Sequence, residues 1–142
     1  MKPWAKAADV VRAQRFELVD ASGEVRASLA LTEDSPTLVL QDAAGTVRAM
    51  LTLTEDSPAL SLHDAAGKVR ASLTLIEDDD PMLLLRDAGG KTRAMLKVFE
   101  DIPALTLHDA AGEVRATLCM LPGGPPALGL TDAAGQVIWK AL

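Results

Sequence analysis

The sequence predicts an all-β fold made of repeated hairpins, and three observations support this. The phrase Asp-Ala-Ala-Gly, or a near copy, occurs six times, with its aspartates 22 or 23 residues apart. The segments on both sides of the phrase alternate between apolar and polar residues, and a proline-containing turn, acidic in four of five cases, separates consecutive copies. A fixed period of this length indicates a repeat architecture. Period-two alternation is typical of strands that bury one face.

The repeated phrase has the composition of a hairpin turn. An aspartate begins a turn by bonding its own backbone, and a glycine accepts the left-handed conformation at the end of the loop. We therefore predict a structural role for this phrase and no catalytic residues. The predicted turn residues are Asp20, Gly23, Asp42, Gly45, Asp64, Gly67, Asp87, Gly90, Asp109, Gly112, Asp132 and Gly135.

The apolar residues around each turn are expected to share one face of the sheet. If Asp64 to Gly67 form a four-residue loop, Leu62 lies opposite Val69 and Leu60 lies opposite Ala71. The predicted core or interface residues are Leu38, Leu40, Val47, Ala49, Leu51, Leu53, Leu60, Leu62, Val69, Ala71, Leu73, Leu75, Leu105, Leu107, Val114, Ala116 and Leu118.

The second connection has the form Glu-Asp-Ser-Pro at Glu33 to Pro36 and at Glu55 to Pro58. Its variants are Glu77-Asp78-Asp79-Asp80-Pro81, Glu100-Asp101-Ile102-Pro103 and Pro122-Gly123-Gly124-Pro125-Pro126. Acidic residues and proline do not continue a buried ladder, so the whole segment is predicted to be a turn. With Asp56 and Ser57 at its centre, Leu53 would lie opposite Leu60. The two 23-residue spacings each contain a lengthened version of this connection.

The period divides the chain into a leader, residues 1–14, and a β-repeat domain, residues 15–142. The repeats are approximately 15–36, 37–58, 59–81, 82–103, 104–126 and 127–142. Each repeat is expected to contain two strands, about five and eight residues long, in an antiparallel meander. The alternative is a β-solenoid, in which each repeat is one coil and the strands stack in parallel. Within the leader, Ala5 to Arg15 is expected to form a short helix or a strand.

Such a repeat produces one long apolar face that has to be covered, since soluble monomers avoid apolar patches of that size. Closing twelve strands on themselves would leave a lumen that Leu and Ala cannot fill. The middle of the chain has no break at which the sheet could fold into a sandwich. The sequence therefore predicts a homo-oligomer, most simply a homotrimer in which three sheets surround one axis as a β-prism.

Composition narrows the possible partners. The net charge is −6 and aromatic residues make up only 3% of the chain, with no Tyr, so nucleic acid is not a favoured partner. No apolar run reaches the roughly 18 residues of a membrane helix, and no membrane partner is expected. The start of the chain lacks the apolar segment of a secretory signal, which predicts a cytoplasmic protein, or a surface or extracellular one if a longer precursor exists. The single cysteine, Cys119, is expected to pack as a small side chain.

Three groups of polar residues could carry chemistry. Five arginines, each six residues after a turn aspartate, could bind an anionic polymer or a glycan, or could cover the sheet and pair with neighbouring acids. The acidic turns could hold Ca²⁺, but they lack the spacing of a calcium loop. His63 and His108 occupy equivalent positions two repeats apart, too far to share a metal ion. The arginines are Arg26, Arg48, Arg70, Arg93 and Arg115.

No nucleophile and base constellation, phosphate loop or cysteine metal motif is present in the sequence. We therefore expect no metal and no cofactor. The leading functional prediction is a non-enzymatic structural or protein-interaction scaffold that associates with itself. The alternative prediction is a binding module that uses the arginine row.

Overall fold

A computed structural model describes residues 10–54, 57–76 and 79–141. These residues contain twelve β-strands and no α-helix. The strands are β1 (Arg15–Val19), β2 (Val25–Thr32), β3 (Ser35–Gln41), β4 (Val47–Thr54), β5 (Ser57–His63), β6 (Val69–Leu75), β7 (Pro81–Arg86), β8 (Thr92–Phe99), β9 (Ile102–His108), β10 (Val114–Met120), β11 (Pro126–Thr131) and β12 (Val137–Ala141).

All twelve strands form one sheet in which each strand pairs with its neighbour in sequence. Every pairing is antiparallel, and the sheet does not close on itself. The antiparallel meander predicted from the repeat is confirmed, and the parallel stacking that a solenoid requires does not occur among the described strands. Residues 10–14 have no regular structure before β1, and the first part of the predicted leader element, residues 5–9, lies outside the described residues.

The repeated aspartate phrase forms a tighter turn than the sequence suggested. In the β5–β6 turn the Gly67 N–H donates to the Asp64 carbonyl at 3.0 Å, and the Asp64 N–H donates to the Lys68 carbonyl at 2.9 Å. Gly67 has a φ of +77°, the left-handed conformation expected at this position. This pattern is that of a three-residue hairpin loop, residues 65–67, in which the last residue, Gly67, forms a glycine bulge. The prediction of a four-residue loop is therefore wrong by one residue.

A second bulge compensates for the shorter loop. His63 pairs with Val69, but Leu62 pairs with Ala71, so Arg70 is an extra residue on β6. The predicted pairings of Leu62 with Val69 and of Leu60 with Ala71 are therefore wrong, and Leu60 pairs with Leu73. The same shift occurs in all six aspartate turns and restores the alternation, so leucines and alanines stay on one face.

The acidic connections are also shorter than predicted. Glu33 and Asp34 alone link β2 to β3, with φ values of +50° and +64°, and Glu100 and Asp101 link β8 to β9 in the same way. Two central residues with positive φ are typical of a type I′ hairpin turn. Between β4 and β5, Leu53 pairs with Pro58 rather than with Leu60, which corrects the predicted register; residues 55 and 56 lie outside the described residues.

Proline lies inside the strands, whereas the sequence predicted that it belongs to the turn. Pro36 lies within β3 and pairs with Leu31 of β2. On the other side of β3, the pairing with β4 stops at Thr37 and Thr52. Proline has no N–H to donate, so the ladder ends on that side alone. Neighbouring hairpins consequently separate at this border of the sheet.

The lengthened connections predicted from the 23-residue spacings are present, at residues 76–80 and 121–125. Because strands reverse at each turn, the aspartate turns lie along one border of the sheet and the other connections lie along the opposite border. We name these the aspartate-turn border and the acidic border.

Candidate functional site: the exposed leucine face

A row of leucines crosses the whole sheet. Phe16 pairs with Leu29, Leu29 with Leu38, and so on through consecutive strands to Leu128 and Ala141. Ten of its twelve members are leucines, and they lie near the middle of the strands. The central row is Phe16, Leu29, Leu38, Leu51, Leu60, Leu73, Leu83, Leu96, Leu105, Leu118, Leu128 and Ala141.

Two further apolar rows flank the central row on the same face. Towards the aspartate-turn border, leucine and alanine alternate from strand to strand, as in Leu40, Ala49 and Leu62. Towards the acidic border, each hairpin contributes a proline and its partner, as in Leu53 with Pro58 and Val98 with Pro103. We call these three rows together the leucine face. It contains the leucines and alanines that the sequence predicted as core or interface.

The leucine face is the exposed face of the sheet. Leu51, Leu73 and Leu96 are each 48% exposed, and no hydrophobic residue among those described is buried. The three buried residues in the described part of the chain, Thr37, Ser61 and Thr106, are polar. Their positions alternate with the leucines, which places them on the second face of the sheet. Among the described residues the apolar face therefore has no cover, the reverse of an ordinary globular sheet.

The leucine face carries a regular series of shallow notches. One of about 300 Å³ is lined by Leu96, Leu105 and Leu118 and by Pro103 and Pro126 from successive hairpins. A similar notch of about 310 Å³ lies between Pro36 and Pro58. The notches occur at the prolines, where the ladder between neighbouring hairpins stops. The walls of the notches are almost entirely apolar. The notches make the leucine face uneven and are open to leucine side chains.

The turn aspartates have two separate tasks. In the β3–β4 turn, Asp42 Oδ1 accepts the backbone N–H groups of Ala44 and Thr46, each at 3.0 Å. Its Oδ2 lies 3.3 Å from the guanidinium of Arg48. The same division of oxygens recurs at Asp20, Asp64, Asp87 and Asp109. One oxygen therefore holds the turn, and the other holds the bulged arginine.

These contacts stabilise the ionised carboxylates. The Ser22 hydroxyl, which donates to Asp20 at 2.6 Å, is the main cause that lowers the pKa of Asp20 to about 2, with further contributions from the N–H groups of Ser22 and Glu24 and from Arg26. The Lys68 N–H is the largest contribution to the lowered pKa of Asp64. For Asp42 and Asp109, desolvation raises the pKa, but the hydrogen bonds of the turn and the arginine outweigh it and the pKa falls.

The arginines also join neighbouring strands. Arg48 Nε donates to the His63 carbonyl at 3.1 Å, and Arg70 Nε donates to the Arg86 carbonyl at 2.9 Å. Arg115 donates to the carbonyls of Asp132 and Ala133 in the next aspartate turn. Each carbonyl lies beyond the last backbone pair between its own strand and the strand that holds the arginine. The ladder supplies no donor there, and the guanidinium supplies one instead. Arg26 and Arg93 contact their own turn aspartates, so all five predicted arginines lie beside an aspartate turn.

The histidines take part in the same turns. His63 Nδ1 lies 3.1 Å from the Gly67 carbonyl, and His63 Nε2 lies 2.9 Å from the Ser61 hydroxyl. Because a carbonyl only accepts, Nδ1 carries a proton, and in the neutral imidazole Nε2 then accepts from the Ser61 hydroxyl. His108 repeats the arrangement with Thr106 and Gly112. These pairs were not predicted from the sequence, where their only signal is a hydroxyl two residues before each histidine.

A serine that donates to a histidine also occurs in nucleophilic catalysis. Here the same position bears Gln41 in an earlier turn, and its side chain donates to the Gly45 carbonyl at 3.0 Å. An amide that makes the same contact indicates that the position serves to hold the turn.

Other candidate chemistry is sparse in the described part of the chain. No group of three or more His, Cys, Asp or Glu side chains there is arranged to hold a metal ion. Four of the predicted acidic-turn residues, Glu55, Asp56, Glu77 and Asp78, lie outside that part. Cys119 is a free thiol of intermediate exposure. The described residues include no helix long and apolar enough to cross a membrane.

Comparison of the chain with models of protein families and with curated proteins gives no match. The site is therefore interpreted from its own geometry.

Proposed function

We propose that this chain is a non-enzymatic structural scaffold that associates with copies of itself through the leucine face. The observation that carries the proposal is the inverted exposure of the sheet: its leucines are about half exposed, while the buried residues are polar. Leaving a continuous apolar surface of this extent in water is unfavourable, and such surfaces mark interaction sites.

The size of the face suits a stable interface. Twelve strands spaced at about 4.8 Å span about 53 Å, and strands of seven residues are about 23 Å long. The projected area is then about 1,200 Å² per copy, against about 800 Å² per partner in a standard protein interface. Burying the exposed half of each central-row leucine contributes roughly 1 kcal/mol, so ten of them contribute about 10 kcal/mol. This is comparable to the 4–15 kcal/mol estimated for the entropic cost of association, before the flanking rows are added.

The simplest assembly under this proposal is a homotrimer in which three sheets surround one axis as a β-prism. Closed cyclic symmetry covers every copy of the face equally and leaves no leucine surface free for further addition. The role that fits such an assembly is a scaffold, stalk or spacer whose size is set by the number of hairpins.

The alternative proposal, an anion-binding module, rests on the five arginines. Each lies beside a turn aspartate, at 2.6 to 3.5 Å. An anionic polymer or glycan would have to compete with that carboxylate for each guanidinium. We therefore favour self-association over this candidate.

The native mass measured by light scattering tests the proposal, with Leu118→Lys as the disrupting variant. The matched control is Thr117→Lys, which adds the same charge one residue away on the second face. We expect a trimer mass for the wild type and the control, and dissociation or loss of folding for Leu118→Lys. A wild-type protein that is monomeric at micromolar concentration overturns the proposal.

A further inference from the structure

The shape of the sheet determines how three copies can meet. The leucine face is about 53 Å along the rows and about 23 Å along the strands. In cross-section the prism is a triangle with one sheet on each side. If its axis runs parallel to the strands, each side of the triangle is the long dimension of the face. If the axis runs parallel to the rows, each side is the short dimension. The two choices leave very different spaces at the centre.

An axis parallel to the strands leaves a space that the side chains cannot fill. A triangle with sides of about 53 Å has its sides about 15 Å from the axis, whereas side chains between packed sheets reach about 5 Å from each sheet. A lumen about 20 Å across would remain, lined by Leu, Ala and Pro. Water in an apolar lumen gains no hydrogen bonds from its walls, so this arrangement does not solve the exposure of the face.

An axis parallel to the rows leaves almost no empty space. A triangle with sides of about 23 Å has its sides about 7 Å from the axis, close to the reach of the leucine layer. The central row, which includes Leu51, Leu60 and Leu73, then lies nearest the axis. The right-handed twist of each sheet would make the three sheets wind around one another.

We infer that three copies form a rod whose axis runs along the leucine rows, with the acidic border of each copy against the aspartate-turn border of the next. This inference rests on the proposed self-association and specifies its geometry. Cyclic symmetry about this axis makes the contact at each corner of the prism heterologous, so that unlike borders meet.

The charges of the two borders favour this contact. In the described residues, the connections of the acidic border hold six carboxylates, at Glu33, Asp34, Asp79, Asp80, Glu100 and Asp101, and no Lys or Arg. The loops and bulges of the aspartate-turn border, from each aspartate up to and including the bulged residue, hold eight carboxylates and seven Lys or Arg residues, a net charge of −1. Contact between two acidic borders would place like charges together, which is unfavourable. Contact between unlike borders avoids this.

The flanking rows are complementary in shape at the same corner. The row near the aspartate-turn border alternates leucine with a smaller residue, as at Ala49 and Ala71. The row near the acidic border carries the prolines and the notches beside them. Leucines of one copy can enter the notches of the next, while the alanines give room for its prolines. The central-row leucines need no such complementarity because they meet at the axis.

Cysteine cross-linking tests the corner contact, in the full chain with Cys119→Ser as background. Pro122→Cys places a thiol at the acidic border, and Ala111→Cys places one at the aspartate-turn border of a neighbouring hairpin; both positions are exposed. With a short bis-maleimide, the double variant should give covalent trimers in denaturing gels. Each single variant should give no covalent oligomer, and a mixture of the two should give dimers.

The controls separate this inference from the proposed function. Light scattering on each variant reports the assembly without the cross-linker, so a monomer mass for the unmodified protein overturns self-association itself. If the mass is that of a trimer but Pro122→Cys cross-links to itself, or the double variant does not cross-link, the row-parallel axis is overturned and self-association stands.

Small-angle X-ray scattering gives a second, independent readout. A tandem duplication of residues 37–58 adds two strands, which should lengthen the rod by about 10 Å without changing its cross-section or the number of copies. An axis parallel to the strands would instead widen the particle at constant length. A wider cross-section in the duplicated protein therefore overturns the inference.

Discussion

Arg115 Nη2 lies 2.6 Å from Oδ2 of Asp109, six residues earlier in the chain, and the same guanidinium donates to the carbonyl of Asp132 in the next aspartate turn. One side chain thus holds its own turn and joins it to the following hairpin. The bulge that places the arginine there also restores the register of the leucine face. The repeated aspartate and arginine are therefore parts of one structural device.

The extent of these contacts predicts a graded effect of removing each arginine. Arg115 is 22% exposed and bonds to both turns, whereas Arg48 is 44% exposed and its contact with Asp42 is 3.3 Å. We expect Arg115→Ala to lower the free energy of unfolding by about 1–2 kcal/mol and Arg48→Ala by about 0.5 kcal/mol. Urea unfolding of the two variants measures the difference. Equal losses would show that the shorter and less exposed contacts of Arg115 contribute nothing beyond those of Arg48.

The lowered pKa of Asp20, about 2, predicts a defined pH dependence. A carboxylate whose pKa is lower in the folded state than in the unfolded state, about 3.9, stabilises the fold above that unfolded value. The contribution is lost as the pH falls through the folded pKa. The stability difference between wild type and Asp20→Asn should therefore be constant above about pH 5 and shrink towards pH 2. Unfolding curves across this range test it, and a difference that does not vary with pH contradicts it.

The acidic turns store backbone strain, because Asp34 adopts a φ of +64° without being a glycine. Asp34→Gly and Asp34→Ala remove the same charge, but only glycine relieves this conformation. We expect the glycine variant to be more stable than the alanine variant by about 1 kcal/mol. Thermal unfolding of the pair measures this difference. If alanine is as stable as glycine, the turn is not strained.

The chain itself supplies the control for the histidine contacts. Gln41 makes to Gly45 the bond that His63 makes to Gly67. His63→Gln should therefore remain close to wild type, while His63→Ala should lose about 1 kcal/mol of stability. Chemical unfolding distinguishes the two. A glutamine variant as unstable as the alanine variant would show that the imidazole has a role beyond the turn.

The sequence predicted the strands and the shared apolar face because alternation survives any register shift of two residues. It did not predict the register itself. The shorter loop at Asp64 and the extra residue Arg70 each shift the pairing by one, and together they shift it by two, which keeps the same residues on the leucine face. A period-two pattern cannot reveal a shift of two, and only the hydrogen bonds of the turn do.

The position of proline is a second difference between the predicted and the observed structure, and its cause is related. The sequence predicts that Pro36 belongs to the turn before its strand, because proline cannot donate to a ladder. In the structure it loses the ladder on the β4 side only and still pairs with Leu31 on the other. The sequence shows that a donor is missing but not towards which neighbour it would have pointed. That one-sided loss is also what opens the notches of the leucine face.

The central claim is that copies of the chain cover one another's leucine face. The native mass of the wild-type protein tests it most directly. One chain has a mass of 14.9 kDa. Size-exclusion chromatography with multi-angle light scattering at micromolar concentration should give three times that mass. A folded protein that elutes with the mass of a single chain would contradict self-association through the leucine face.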